Sequence, residues 1–139
     1  MATVIRAKIS EKNKYYIDKH RYYELKHFCL QYGEWKKAYS NCNESIIFAS
    51  QIEKMPTCGS HSDLTAKYAI KKAYYAERIK LVERIAYESD PDLCEYILKA
   101  VTEGLSYTYL KARLEIPCRR DMYYDRYRRF FWLLSEAKY

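Results

Sequence analysis

The sequence predicts an all-α fold: a single helical domain with a long central helix and a C-terminal helix-turn-helix-like unit. Three observations carry that prediction. Gly and Pro each occur 3 times in 139 residues, too few for the tight turns of a β-sandwich. Apolar side chains recur at steps of three and four along 62–89 and along 120–137, the period of an amphipathic helix. Asp90-Pro91, Gly104 and Pro117 fall between the periodic runs, where they punctuate helices. With 49% hydrophobic and 31% charged residues the chain has a globular balance. A chain of this length can bury about 68–70% of its unfolded surface, so one core without staples is feasible.

The elements follow in order. Residues 1–39 form a basic helical part. Ser10 is placed to cap a helix over 10–32, and Gly33 to stop it. Tyr15, Tyr22 and Cys29 line one face of that helix, and Tyr16, Tyr23, His27 and Leu30 the neighbouring face. Residues 40–61 hold Pro56, Gly59 and several Asn and Ser, and read as an irregular loop with one small element at Ile46-Ile47-Phe48-Ala49. The central helix spans 62–89, ended by Asp90-Pro91. Its stripe Tyr68, Lys72, Tyr75, Ile79, Val82, Ala86 sits beside a second stripe, Ile70, Tyr74, Leu81, Ile85. Two stripes make an apolar arc wider than a coiled-coil seam. They suit a central core helix, or a core face plus a face for a second protomer. Residues 91–139 form the last part. It holds a helix over 92–102 ended by Gly104, a helix over 107–114 capped by Ser106 and broken by Pro117, and a final helix over 120–137.

Several function classes are excluded or disfavoured. No GxxxxGK[ST], GxGxxG, HExxH or GxSxG stands in the sequence, so no catalytic residue is expected and the chain reads as a non-enzyme. The five cysteines contain no CxxC pair, and His20, His27 and His61 stand at no zinc-ligand spacing from them; no metal or other cofactor is expected. An odd number of thiols and the absence of a signal-like apolar run at the start point to a reduced, cytoplasmic protein. Nothing approaches the roughly 18 apolar residues of a membrane span.

The segment 100–135 carries the chemistry. Leu110, Leu114 and Ile116 match the apolar skeleton that locks the two helices of a helix-turn-helix. Lys111 stands where a small residue is usual and Glu115 where a turn Gly is usual, and Pro117-Cys118-Arg119-Arg120 lengthens the turn. In the final helix Tyr123, Tyr127, Phe130, Phe131 and Leu134 recur as the buried face, with Arg120, Tyr124, Arg128 and Arg129 on the opposite side. A reading helix meets base edges with its N-terminal residues, which selects Arg119, Arg120 and Tyr124. Lys111, Arg113, Arg128 and Arg129 are the expected phosphate contacts. Cys118 lies in the arginine-rich turn near a helix start, a setting that favours thiolate, although a bystander thiol is the plainer reading. Charge supports the assignment. Residues 1–40 are net +5, 41–99 net −1 and 100–139 net +3, so converging ends would make a basic patch for phosphate. The alternative is a helical hairpin with a solvated basic face.

The blocks ISEKNKYYIDKHRYYELKHFCLQYGEWKKAY and YILKAVTEGLSYTYLKARLEIPCRRDMYYDRYRRFFWLLS resemble small proteins encoded in prophages and mobile elements of Firmicutes. More loosely, the layout is similar to phage late-gene transcriptional activators of the RinA/ArpU type, which end in a helix-turn-helix like region 4 of a sigma factor. That resemblance implies DNA binding through Arg119, Arg120, Tyr124 and Arg128. The expectation is therefore a sequence-specific regulator of phage or mobile-element genes. Its expected partners are double-stranded DNA, RNA polymerase or another host protein, and a second copy docked through 62–89. The alternatives are a small terminase subunit binding packaging DNA and a non-enzymatic helical interaction or inhibitor protein.

Overall fold

The computed structural model describes residues 12–52 and 61–139. Among them all regular secondary structure is helical: α1 (Lys19–Leu30), α2 (Tyr32–Ile52), α3 (His61–Ser89), α4 (Cys94–Glu103), α5 (Tyr107–Arg113) and α6 (Arg120–Lys138). No helix among the described residues is long and apolar enough to cross a membrane. The chain divides into two compact units. One is Tyr32–Leu81; the other joins the residues before it to those from Val82 onward.

The second of these units holds most of the core. Leu25, Cys29, Val82, Ile85, Ile97, Leu110, Ile116, Tyr123, Phe130, Phe131 and Leu134 are almost wholly excluded from water. α1 packs on α4 and α6, and α4 also on α5 and α6. The Tyr22 ring meets Phe131 edge-on with centroids 5.1 Å apart, and the Tyr22 and Tyr127 hydroxyls share a 2.8 Å hydrogen bond. Arg21 donates to Ser135 Oγ over 3.1 Å. These contacts fix α1 along α6, and they use the tyrosine periodicity read from the sequence.

α1 starts later than the pattern predicts. Ser10, its expected cap, lies outside the described residues. The helix begins at Lys19, because Asn13 diverts the preceding backbone. Its Oδ1 accepts the Tyr15 amide at 2.9 Å and its carbonyl accepts the Tyr16 amide at 3.0 Å. Such local bonds compete with helix formation. Tyr15 and Ile17 are buried by alternation rather than by helical turn, with Tyr15 5.9 Å from Trp132. Gly33 does not stop a helix. The break falls at Gln31, and Gly33 lies in the first turn of α2.

The expected loop over 40–61 is also corrected. Residues 40–52 continue α2. No Gly or Pro interrupts 34–52, and the apolar residues Trp35, Cys42 and Ile46 keep helical spacing, so Asn and Ser reduce propensity without breaking the pattern. Pro56, Cys58 and Gly59 lie outside the described residues. In the Tyr32–Leu81 unit Tyr32, Trp35 and Cys42 are buried, while Ile47, Phe48, Leu64, Ile70 and Tyr74 are exposed. Lys72, the cation within the central stripe, lies 5.3 Å from the Tyr39 ring. The two stripes of α3 thus change together along the helix: Val82, Ile85 and Ala86 near its end are core, whereas Ile70 and Tyr74 nearer its start are exposed.

The end of α3 behaves as Asp90-Pro91 predicts. Asp90 Oδ1 accepts the amides of Asp92 at 2.9 Å and Leu93 at 3.3 Å, and Arg126 Nε donates to its Oδ2 at 3.0 Å. Gly104 closes α4 in the left-handed region at φ 71°, with the Leu105 amide reaching back to the Ala100 carbonyl at 3.1 Å. That is the 6→1 bond of a Schellman cap.

Candidate nucleic-acid interface

The candidate site is the turn between α5 and α6 and the first residues of α6. Ser106 caps α5 as expected, its Oγ accepting the Tyr109 amide at 3.2 Å. α5 ends where Leu114 and Ile116 both donate their amides to the Leu110 carbonyl, at 3.1 and 3.2 Å. Glu115 between them takes φ 54°, and is the one non-glycine residue with positive φ among the described residues. The position therefore has the left-handed backbone that glycine adopts most easily, and Glu tolerates it here because its flanks are pinned. Leu110 and Ile116 are completely buried; Leu114 is half-buried.

The long turn is tied down from both sides. The Tyr107 hydroxyl donates to the Cys118 carbonyl at 2.7 Å, and Lys111 Nζ donates to the Ile116 carbonyl at 3.4 Å. Lys111, Pro117, Arg119 and Arg120 then surround a shallow groove of about 370 Å³ with Tyr107 and Cys118 at its base. The Arg120 guanidinium stands 5.4 Å from the Tyr107 ring centroid. Lys111, Arg113, Arg119 and Arg120 are exposed, and none makes an ion pair among the described residues. Arg119 precedes the first turn of α6, whose free amides add partial positive charge. The arrangement offers several donors to an anion, none of them held in an ion pair among the described residues.

The remaining site residues are placed differently. Tyr124 is half-buried rather than on an open face. Its ring packs 5.2 Å from Tyr123, 6.4 Å from Tyr127 and 6.5 Å from Tyr107. Arg128 is half-buried too, with an Nε shielded from solvent and unpartnered among the described residues. Arg129 lies on the far side of α6 from the core residues Phe131 and Leu134, one hundred-odd degrees round the helix from Arg128. The turn thus brings together Lys111, Arg119 and Arg120, and Arg128 and Arg129 do not join their groove. At Cys118 the structure favours the plainer reading over the thiolate: the thiol is buried, and burial raises its pKa despite the opposing charge of Lys111.

Two residues of the site's framework have no signal in the sequence. Arg126 reads as one more cation of a basic helix, yet it is anchored on Asp90, 36 positions away, and on the adjacent Asp125 at 3.1 Å. Tyr107 reads as a helix-start residue, yet its hydroxyl fixes the turn and its ring supports Arg120. No protein-family model, curated protein or solved structure matches this chain at a significant level.

Proposed function

We propose that the chain is a DNA-binding regulator in which α5, the 114–119 turn and α6 act as a helix-turn-helix. The observation that carries this reading is the convergence of Lys111, Arg119 and Arg120 on one groove at the start of α6. Three unpaired cations beside a helix N-terminus suit a phosphate. Arg119 and Arg120 are also the residues that an inserted helix would carry first toward base edges, where Arg pairs with guanine. Arg113 extends the positive strip, and Arg129 is a peripheral phosphate contact. Tyr124 supports the helix from behind and is not a base reader. The phage or mobile-element setting rests on the resemblance of the two sequence blocks.

Fluorescence anisotropy on a mixed-sequence duplex tests the proposal. Phosphate contacts by Lys111, Arg113, Arg119 and Arg120, leaving out the peripheral Arg129, give log K against log salt a slope of about −3.6. Replacing Arg119 and Arg120 by Ala should bring the slope to about −1.8, without loss of helical circular dichroism. Absence of binding at low salt, or an unchanged slope in the double variant, sinks the reading.

A second reading has its own observation. The exposed Ile47, Phe48, Leu64, Ile70 and Tyr74 of the Tyr32–Leu81 unit suit a protein partner: a second copy, RNA polymerase or another host protein. Large apolar side chains left in water often mark such surfaces. Light scattering separates the cases. A dimer fits a regulator, a large ring fits a small terminase subunit, and a monomer that binds no DNA fits an interaction or inhibitor protein.

A further inference from the structure

We infer that a cleft bounded by α1, α4, α5 and α6 binds a small planar aromatic carboxylate, with tyrosines holding the ring and Lys26 the anion. The cleft has a volume of about 350 Å³, within the size range of small-molecule sites and far above ordinary packing voids. Ala100, Val101 and Leu105 form its apolar side, and Tyr107, Tyr123, Tyr124 and Tyr127 its aromatic side. The tyrosine rings stand at varied angles to each other: 79° for Tyr124 and Tyr127, 41° for Tyr123 and Tyr127, 45° for Tyr107 and Tyr124. Rings so tilted give the cleft an aromatic wall, on which a further ring can pack offset-stacked or edge-on.

Charge selects the class of ligand. Lys26 lines the cleft and is half-buried, and it makes no ion pair among the described residues. Burial alone lowers its pKa, the mark of an ammonium that has lost water without gaining an anion. Glu103 also lines the cleft but is exposed and does not pair with Lys26, so solvent screens it. The phenols of Tyr123 and Tyr127 are pushed above their usual pKa, chiefly by burial, so they stay neutral and the exposed Glu103 is the one carboxylate among the lining residues. A carboxylate on a flat ring would meet the rings and neutralise Lys26 together. Binding of this kind requires no DNA and stands or falls independently of the DNA proposal.

Calorimetric titration of the full chain with 1-naphthoate, and with its neutral isostere 1-naphthamide, tests the inference. Naphthoate should bind one molecule per chain, and the amide about ten-fold more weakly or worse. Lys26→Met should abolish that preference while leaving amide binding intact. Leu105→Trp, which fills the cleft from a half-exposed position, should remove binding of both with helical content unchanged. The inference is overturned if neither compound binds at about 1 mM, if acid and amide bind equally, if Lys26→Met keeps the preference, or if Leu105→Trp keeps the binding. Nuclear magnetic resonance shifts of the cleft residues check that each variant remains folded.

Discussion

The two units of this chain enclose their aromatic residues to different degrees. Around α1, α4 and α6, tyrosines and phenylalanines stack on one another: Tyr22 on Phe131, Tyr107 on Tyr123, Tyr127 on Phe131. In the Tyr32–Leu81 unit, Phe48 and Tyr74 are exposed and Tyr74 is covered on one side by Arg78, 3.5 Å from its ring. Both regions are helical, so helicity does not separate them. Enclosure does. A helix with neighbours on several sides hides its apolar arc, and one with few neighbours leaves it in water. Stability should follow the same division, because local unfolding begins where few apolar contacts are buried.

Alkaline pH should reveal the division most strongly. Burial raises Cys29 from 9.0 to about 12 and raises Tyr123 and Tyr127 as well. A raised acid favours its neutral form in the folded state. The stability it contributes is complete below the unfolded pKa and is lost as pH climbs toward the folded one. Each fully shifted group removes up to about 1.4 kcal/mol per pH unit in that window. Between pH 9 and 12, amide protection factors, corrected for base-catalysed intrinsic exchange, should fall with pH in α1 and α6 while those in 32–52 and 61–81 stay at their lower but pH-independent values. Cys29→Val should move the onset upward. Simultaneous loss in both units would mean that they melt as one.

Truncation at neutral pH sharpens the contrast. Phe131 is 2% exposed and Phe48 is 65% exposed. Phe131→Ala should cost about 3–5 kcal/mol in urea unfolding, and Phe48→Ala less than about 0.5 kcal/mol. A large cost at Phe48 would show that its face is covered in solution, and should then depend on protein concentration.

How much of this was legible in the sequence follows the same line. Periodicity found the buried face of α6, since Tyr123, Phe130, Phe131 and Leu134 recur on one side whatever packs there. Local chemistry found the ends: Asp90-Pro91, Gly104 and Ser106 act on their own neighbours. The α2 segment escaped because Asn and Ser mimic a loop when apolar residues are sparse. Tyr124 escaped because it lies at the edge of the apolar arc, and α5 decides which way that edge faces. At the site, Arg119 and Arg120 were legible as adjacent cations before a helix. Their convergence with Lys111 depends on the path of the turn. The cleft beside Lys26 was invisible, because an aromatic stripe looks the same whether the space in front of it is filled or empty.

The joint between α3 and α6 gives an intermediate effect. Asp90 accepts two backbone amides and one guanidinium nitrogen, and its side chain is 9% exposed. Asp90→Ala removes a turn cap and leaves Arg126 with only the adjacent Asp125 as an ion-pair partner. The expected cost is about 2 kcal/mol. Asp90→Asn keeps an acceptor for the amides and should recover about half of it. Equal losses in both variants would assign the whole effect to the charge.

The smallest effect bears on the turn itself. Glu115 sits at φ 54°, a backbone region that costs an ordinary side chain about 1–2 kcal/mol. Glycine would escape that cost but would add freedom to the unfolded chain worth about 0.5–1 kcal/mol. Glu115→Gly should therefore stabilise the protein by about 0.5 kcal/mol, read as a small rise in urea midpoint with an unchanged slope. Glu115→Val should destabilise by more than 1 kcal/mol, since a β-branched residue tolerates positive φ least. A loss of stability in the glycine variant would show that the Glu115 side chain contributes more than its backbone strain removes. On the DNA-binding proposal, removing the exposed Glu115 carboxylate from the turn that leads to Arg119 and Arg120 should also tighten duplex binding slightly. The pair of readouts then separates strain in the turn from electrostatics at the groove.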